Sequence, residues 1–173
     1  HPMSNSTARA DYEDFVRAST RPLMSLAFVL AGNAHDAEDL VQETFIRVAR
    51  HWGTVARDGG MPLAYAKTTL HRLHIDRYRW RRRRPESPTA YLPERAGDTS
   101  DVEGRLDLHQ ALRQLTPRQR AVLVLRYLEG RSEAETASIL GCSVNTVKSQ
   151  TRVALGNLRA LLPDGMLVGK DLS

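Results

Sequence analysis

The side chains that could do chemistry fall into three groups in this 173-residue chain. The first is acidic: Asp36, Glu38, Asp39 and Glu43 crowd together. Carboxylates this close could serve acid–base work or hold a cation. On a helix, however, Asp36, Asp39 and Glu43 stand three and four residues apart and form one surface stripe. Such a stripe suits a basic partner protein better than a reaction. His71 and His74 have helical spacing for a metal, but no acidic or thiol partner accompanies them. The lone Cys142 can build neither an internal disulfide nor a cysteine metal site, and no base is placed to activate it. There is no phosphate-binding glycine loop, nucleophile elbow or carboxylate–histidine metal signature. No catalytic residue, metal or cofactor is therefore expected, and the chain does not read as an enzyme.

The second group mixes cations and rings. Tyr65, His71, Tyr78 and Trp80 interleave with Lys67, Arg72, Arg77, Arg79 and Arg81. Bases stack on rings and guanidinium planes, so this pattern suits unpaired nucleotides and their phosphates. The third group lies at residues 132–155, which have the spacing of a helix-turn-helix. Ala137 is small enough for the meeting of two helices, Gly141 allows the turn, and Val147 anchors the second helix. A plain helical hairpin with a glycine cap has the same outline. If the motif holds, Asn145, Thr146, Lys148, Ser149, Gln150 and Arg152 face a major groove, where amides read adenine and cations read guanine or phosphate.

These groups need helices to position them. Strand alternation and hairpin dipeptides are almost absent, so the chain reads as all-α. Tyr12, Phe15, Val16, Ser19, Leu23, Leu26 and Ala27 mark a first helix, bent at Pro22. A second begins near Asp36, with acids at its positive end, and shows Leu40, Val41, Phe45, Val48, Ala49 and Trp52 to a core. Gly53 stops it, and residues 53–61 form a loop. A third starts at Pro62, buries Leu63, Ala66, Leu70, Leu73 and Ile75, and ends in a basic run before Pro85. Prolines, glycines and acids then give a flexible acidic linker over residues 85–103. Beyond it, Leu108, Ala111, Leu112 and Leu115 mark a helix. Thr116-Pro117-Arg118-Gln119 opens a second, running through Tyr127 to Gly130. Ser132-Glu133-Ala134-Glu135 opens a short one, and Ser143 caps the last, which Pro163 stops. The domains are thus 10–84 and 104–162, with a tail at 163–173.

Charge follows the same division. Residues 11–43 carry seven acids and two bases, residues 44–84 eleven bases and two acids. Residues 85–109 carry six acids and two bases, residues 110–162 eight bases and three acids. Two basic blocks around an acidic spacer suit two contacts with one polyanion. The longest mostly apolar run, from Leu23 to Ala31, is too short to cross a bilayer, so membrane insertion is not expected. No leader pattern is visible near the start, which makes the expected location cytoplasmic.

Two segments resemble the group IV, or extracytoplasmic-function (ECF), bacterial RNA polymerase sigma factors, with an actinobacterial flavour. Residues 36–45, Asp-Ala-Glu-Asp-Leu-Val-Gln-Glu-Thr-Phe, resemble the family's region 2.2. Residues 115–120, Tyr127-Leu128-Glu129-Gly130 and Thr146-Val147-Lys148-Ser149 resemble region 4. The resemblance implies a sigma-2 helical bundle at 10–84, a sigma-4 helix-turn-helix domain at 104–162, and a factor that directs promoter-specific initiation. It implies that Asp39, Gln42 and Glu43 bind the β′ clamp helices of RNA polymerase core. Loop 53–61 would capture a flipped base, and Lys67, His71, Arg72, Asp76 and Arg77 would recognise and hold open the −10 element. The last helix would read the −35 element while the apolar side of its domain docks on the β flap. The linker would thread toward the active-centre cleft. An anti-sigma factor is an implied further partner. Thr136 stands where the family commonly has Ile, Gln150 where it often has Arg, and Arg72 where many members have Asn. A stand-alone helix-turn-helix regulator is the competing expectation.

Overall fold

The computed structural model describes residues 5–57, 59–83 and 103–162. All but the last residue of the expected linker, and the whole expected tail, lie outside them. Every regular element among the described residues is helical. In order they are α1 (Asn5–Ala31), α2 (Ala34–Arg50), the single turn α3 (Trp52–Val55) and α4 (Pro62–Arg83). Then come α5 (Glu103–Gln114), α6 (Pro117–Leu123), a π-helical turn (Val124–Leu128), α7 (Glu133–Leu140) and α8 (Val144–Leu161). Contacts divide the chain into two units, with the division between Asp76 and Arg77, within α4.

In the first unit α1 packs along α2. Leu23, Ala27 and Leu30 of α1, Ala37, Leu40 and Val48 of α2, and Ala66 and Leu70 of α4 are buried in its core. Each buried leucine side chain contributes about 1.5–3 kcal/mol. The helix α1 runs on through Pro22. The helix α2 begins two residues before Asp36, because Asn33 caps it: its side chain accepts from the Asp36 amide at 2.8 Å. Ala49 departs from expectation. It is exposed, one residue around the helix from the buried Val48. Gly53 is not the stop, since α2 ends at Arg50 and residues 52–55 form α3. The expected loop therefore opens with a helical turn.

In the second unit the capping box at Thr116 is complete. Its hydroxyl accepts from the Gln119 amide at 3.2 Å, and its own amide donates to the Gln119 side chain at 3.3 Å. The helix it opens does not continue unbroken to Gly130. It widens into the π-helical turn, which closes when the Glu129 amide donates to the Val124 carbonyl at 3.0 Å. Ser132 accepts from the Glu135 amide at 3.0 Å, but the Glu135 carboxylate lies 3.7 Å from the Arg131 guanidinium. Ala137, Leu140, Val147, Ala154 and Leu158 pack the core between α7 and α8.

Candidate nucleic-acid and polymerase interfaces

The acidic stripe of α2 lies on the surface, as its spacing requires. Asp39 and Gln42 are exposed and Glu43 is half-buried. Their neighbours on the helix are one turn away: His35 Nε2 is 3.7 Å from the Asp39 carboxylate, and Arg47 Nε is 3.5 Å from that of Glu43. Exposed pairs of this kind are worth about 0–1 kcal/mol, so both carboxylates can be recruited by a stronger basic partner. Ligand atoms of His35, Asp36 and Asp39 lie within 4.8 Å of one another. Acidic groups favour helix N-termini for the dipole alone, and closeness by itself does not mark a metal site.

Residues after α2 hang from an aromatic cluster. Trp52 meets Tyr12 edge-on at 5.3 Å and Phe15 at 5.2 Å, and Phe15 meets Phe45 at 6.1 Å. The Tyr12 hydroxyl donates to the Phe45 carbonyl at 2.8 Å, and burial pushes its pKa above the ordinary value. The segment then returns sharply: the Gly60 amide donates to the Arg57 carbonyl at 2.6 Å, and Gly59 has φ +75°. A Cβ on Gly60 would stand 2.2 Å from the Val55 carbonyl oxygen, so only glycine fits.

Along α4 the buried arc is broad. It takes in Ala66, Leu70, His71, Leu73, His74 and Ile75. His71 is fully buried, with a relative exposure of 0%, and does not join the nucleic-acid face expected of it. Three and four residues from His74 and Ile75, it falls inside the core stripe. Arg72 and Asp76 instead share the outward face with Tyr65 and Trp80. Lys67 lies on the other side of the helix, one turn from the buried Leu70 and His71, and is half-buried, as is Arg77 at the edge of the arc. Near the helix end the Arg82 guanidinium lies 5.7 Å from the Tyr78 ring centroid, a cation–π contact.

The turn between α7 and α8 has helix-turn-helix geometry. Gly141 adopts φ 65° and ψ 42°, and the Cys142 amide returns to the Ala137 carbonyl at 3.0 Å. Such a left-handed cap favours glycine. The Ser143 hydroxyl accepts from the Thr146 amide at 3.1 Å and lies 2.9 Å from the Thr146 hydroxyl. Thr146 is thus occupied with the cap. Asn145, Lys148, Ser149 and Arg152 are exposed at helical spacing on one face, and Gln150 is half-buried beside it. Two cations not singled out in the sequence complete the surroundings. Arg126 and Arg159 join Lys148 and Arg152 around a cleft of about 320 Å³. For Arg159 the signal was present, because Lys148, Arg152 and Arg159 recur at helical spacing. Arg126 was hidden inside an apolar run.

Comparison with known proteins bears on both units. A family model for Sigma-70 region 2 matches residues 15–84, and one for Sigma-70, region 4 matches residues 105–158. The chain is 35% identical to the RNA polymerase sigma-E factor of Streptomyces coelicolor over 164 residues, covering 94% of this chain and 89% of that protein. It is 35% identical to the ECF RNA polymerase sigma factor EcfG of Rhodopseudomonas palustris over 153 residues, 86% of this chain and 83% of that one. Among solved structures, the sigma factor RpoE of Bartonella quintana, in complex with the anti-sigma factor NepR, aligns with TM-score 0.68 and 25% identity. That alignment covers 87% of this chain and 96% of the other.

Proposed function

The chain belongs to the ECF RNA polymerase sigma factors, and we propose that it divides promoter recognition between residues 10–84 and residues 104–162. It is a transcription initiation factor that binds RNA polymerase core and directs initiation at promoters. One observation carries the division of labour: a single chain displays an exposed carboxylate stripe on α2 and a cationic, amide-bearing face on α8. The two surfaces call for partners of opposite charge.

Asp39, Gln42 and Glu43 bind the β′ clamp helices of the core enzyme. Residues 53–61, hung from Trp52, receive a base extruded from the non-template strand. Lys67, Arg72, Asp76 and Arg77 line the path of the opened −10 element, with Tyr65 and Trp80 available for stacking. Unstacking a base costs a few kcal/mol, which aromatic and cationic contacts offset. Asn145, Lys148, Ser149, Gln150 and Arg152 read the −35 element, while the apolar side of the same unit meets the β flap. Each DNA contact is modest alone. Joined through one polymerase they act at high effective concentration. The polymerase makes the RNA, and this chain contributes no bond chemistry of its own. An anti-sigma factor is a further proposed partner, since the Bartonella quintana relative was solved with one. Among the described residues no helix is long and apolar enough to cross a membrane, in keeping with work in the cytoplasm.

Run-off transcription on fragmented host DNA, with core polymerase and with or without this protein, tests the reading. Discrete transcripts that require both components are expected. Core binding with no transcripts, or tight operator binding without polymerase, would overturn it.

A further inference from the structure

We propose that the cleft beside α8 binds a small-molecule ligand, a guanine nucleoside polyphosphate, with Glu133 on the base and the surrounding cations on the phosphates. The cleft is about 320 Å³ and is lined by Arg126, Lys148, Arg152 and Arg159 together with Tyr127 and Glu133. Ligand clefts run from about 300 to 1,000 Å³, so this one suits a single nucleotide. Four cations in so small a space call for an anion. A DNA backbone does not account for the rest of the lining, because its phosphates present acceptor oxygens and a carboxylate repels them.

Glu133 is the observation that points to a base. Among the described residues its Oε2 is buried without a hydrogen-bond partner. A buried acceptor left unmet is costly. The ligand that completes this cleft therefore brings N–H donors as well as negative charge. Guanine carries two adjacent donors, N1–H and its 2-amino group, and a carboxylate accepts both in a fork. Adenine sets an acceptor beside its one amino group. Tyr127 is 37% exposed and offers a ring for stacking, and the half-buried Leu155 adds an apolar wall.

The fold holds these groups in place. Glu133 opens α7 directly after its cap, Ser132. Arg126 sits in the π-helical turn and donates through Nη1 to the Arg131 carbonyl. Lys148, Arg152 and Arg159 all ride on α8. The Thr151 hydroxyl, also in the cleft, is spent on the Val147 carbonyl at 2.7 Å, which leaves the cations as the main donors to phosphate. Lys148 and Arg152 belong to the face proposed to read the −35 element, so a bound nucleotide would compete with DNA for them. That competition rests on the −35 reading; binding itself does not.

The test titrates the full chain with GTP, ATP and inorganic tripolyphosphate by calorimetry in magnesium-free buffer. GTP is expected to bind at least about tenfold more tightly than either, the discrimination of one forked pair. Glu133→Gln sets an N–H against guanine's own. It should weaken GTP about tenfold and leave tripolyphosphate unchanged or tighter, since a repelling charge is also removed. A merely structural role for Glu133 would weaken all three together and overturn the proposal. Tyr127→Leu should weaken both nucleotides and spare tripolyphosphate; it decides the matter should circular dichroism show Glu133→Gln unfolded. No GTP binding at millimolar concentration overturns the proposal. So does equal binding of GTP and tripolyphosphate, or of GTP to the wild-type chain and a folded Glu133→Gln variant. GTP that also displaces a short duplex in fluorescence anisotropy supports both the site and the −35 reading. GTP that binds as expected and leaves duplex binding untouched supports the site and removes Lys148 and Arg152 from the DNA face.

Discussion

Arg120 Nε donates to the Leu112 carbonyl at 2.8 Å from a position that is 1% exposed. Its Nη2 reaches the Arg113 and Leu115 carbonyls at 3.1 Å each. These oxygens lie at the C-terminal end of α5, where a helix leaves carbonyls unpaired and its dipole is negative. One guanidinium from α6 therefore closes α5. Only a forked, planar donor set can reach three acceptors in this way. Arg120→Lys should destabilise the second unit by about 2 kcal/mol and Arg120→Ala by about 3 kcal/mol or more, because buried carbonyls lose their donors. Thermal unfolding followed by circular dichroism reads both. A melting point within a degree of wild type for the alanine variant would refute the assignment.

Thr136 shows the opposite imbalance. It is fully buried, and among the described residues its hydroxyl has no hydrogen-bond partner. A hydroxyl buried without a partner costs about 1–3 kcal/mol in proteins. Thr136→Val keeps the shape and removes the hydroxyl. It should raise stability by about 1 kcal/mol in urea titration, with the dependence on urea unchanged. A loss of stability would mean that the hydroxyl has a partner in solution.

His109 gives the second unit a pH dependence. Desolvation first, and the nearby Arg113 charge second, hold its pKa below the ordinary 6.5. In the unfolded chain the ring takes its proton near that ordinary value. Below it, the unfolded state therefore binds more protons, and stability falls as pH drops through this window. Unfolding at pH 7.5, 6.5 and 5.5 should show that decline, and His109→Gln should make it shallower. An identical decline in the variant would assign the effect to other groups.

Legibility in the sequence tracked how local each cause was. Gly141, Ser143 and the Thr116–Gln119 box act within four residues, and the structure realises all of them. The stripe Asp39-Gln42-Glu43 needed only helical spacing. His71 was misread because composition made its helix basic, while burial is decided by helices remote in sequence. Its place beside Leu70 and His74 on a broad apolar arc needed that tertiary knowledge. For the same reason nothing local in the sequence marks Arg120 as buried. The π-helical turn left no local mark, so Arg126 went unnoticed. It inserts no proline or glycine and shows itself only in hydrogen bonds from Val124 onward.

Gly60 links fold to promoter opening. Alanine there would place its Cβ 2.2 Å from the Val55 carbonyl oxygen and 2.8 Å from that of Arg57, both backbone atoms that cannot swing aside. The turn must rearrange, and with it the surface proposed to receive a flipped base. Gly60→Ala should slow open-complex formation at least about tenfold, since about 1.4 kcal/mol of lost contact is a factor of ten. Core affinity should hold, because the α2 stripe is untouched. Permanganate reactivity of unpaired thymines measures opening. Wild-type opening kinetics would detach this turn from the melting step.

Asp39→Ala combined with Gln42→Ala tests the polymerase surface without disturbing the fold. Both side chains are exposed, and the Asp39 partner, His35, lies 3.7 Å away on the surface. Removing them should cost little stability, since such pairs contribute about 0–1 kcal/mol. An acidic patch facing a basic partner governs association through complementary potential. Affinity for core polymerase should therefore fall about ten- to a hundredfold, with a weaker salt dependence, while binding to isolated duplex DNA is unchanged. Asp14→Ala removes one exposed carboxylate from α1 and should leave core affinity intact. Equal losses from both variants would reduce the effect to net charge. Full core affinity in the double variant would remove α2 from the polymerase interface.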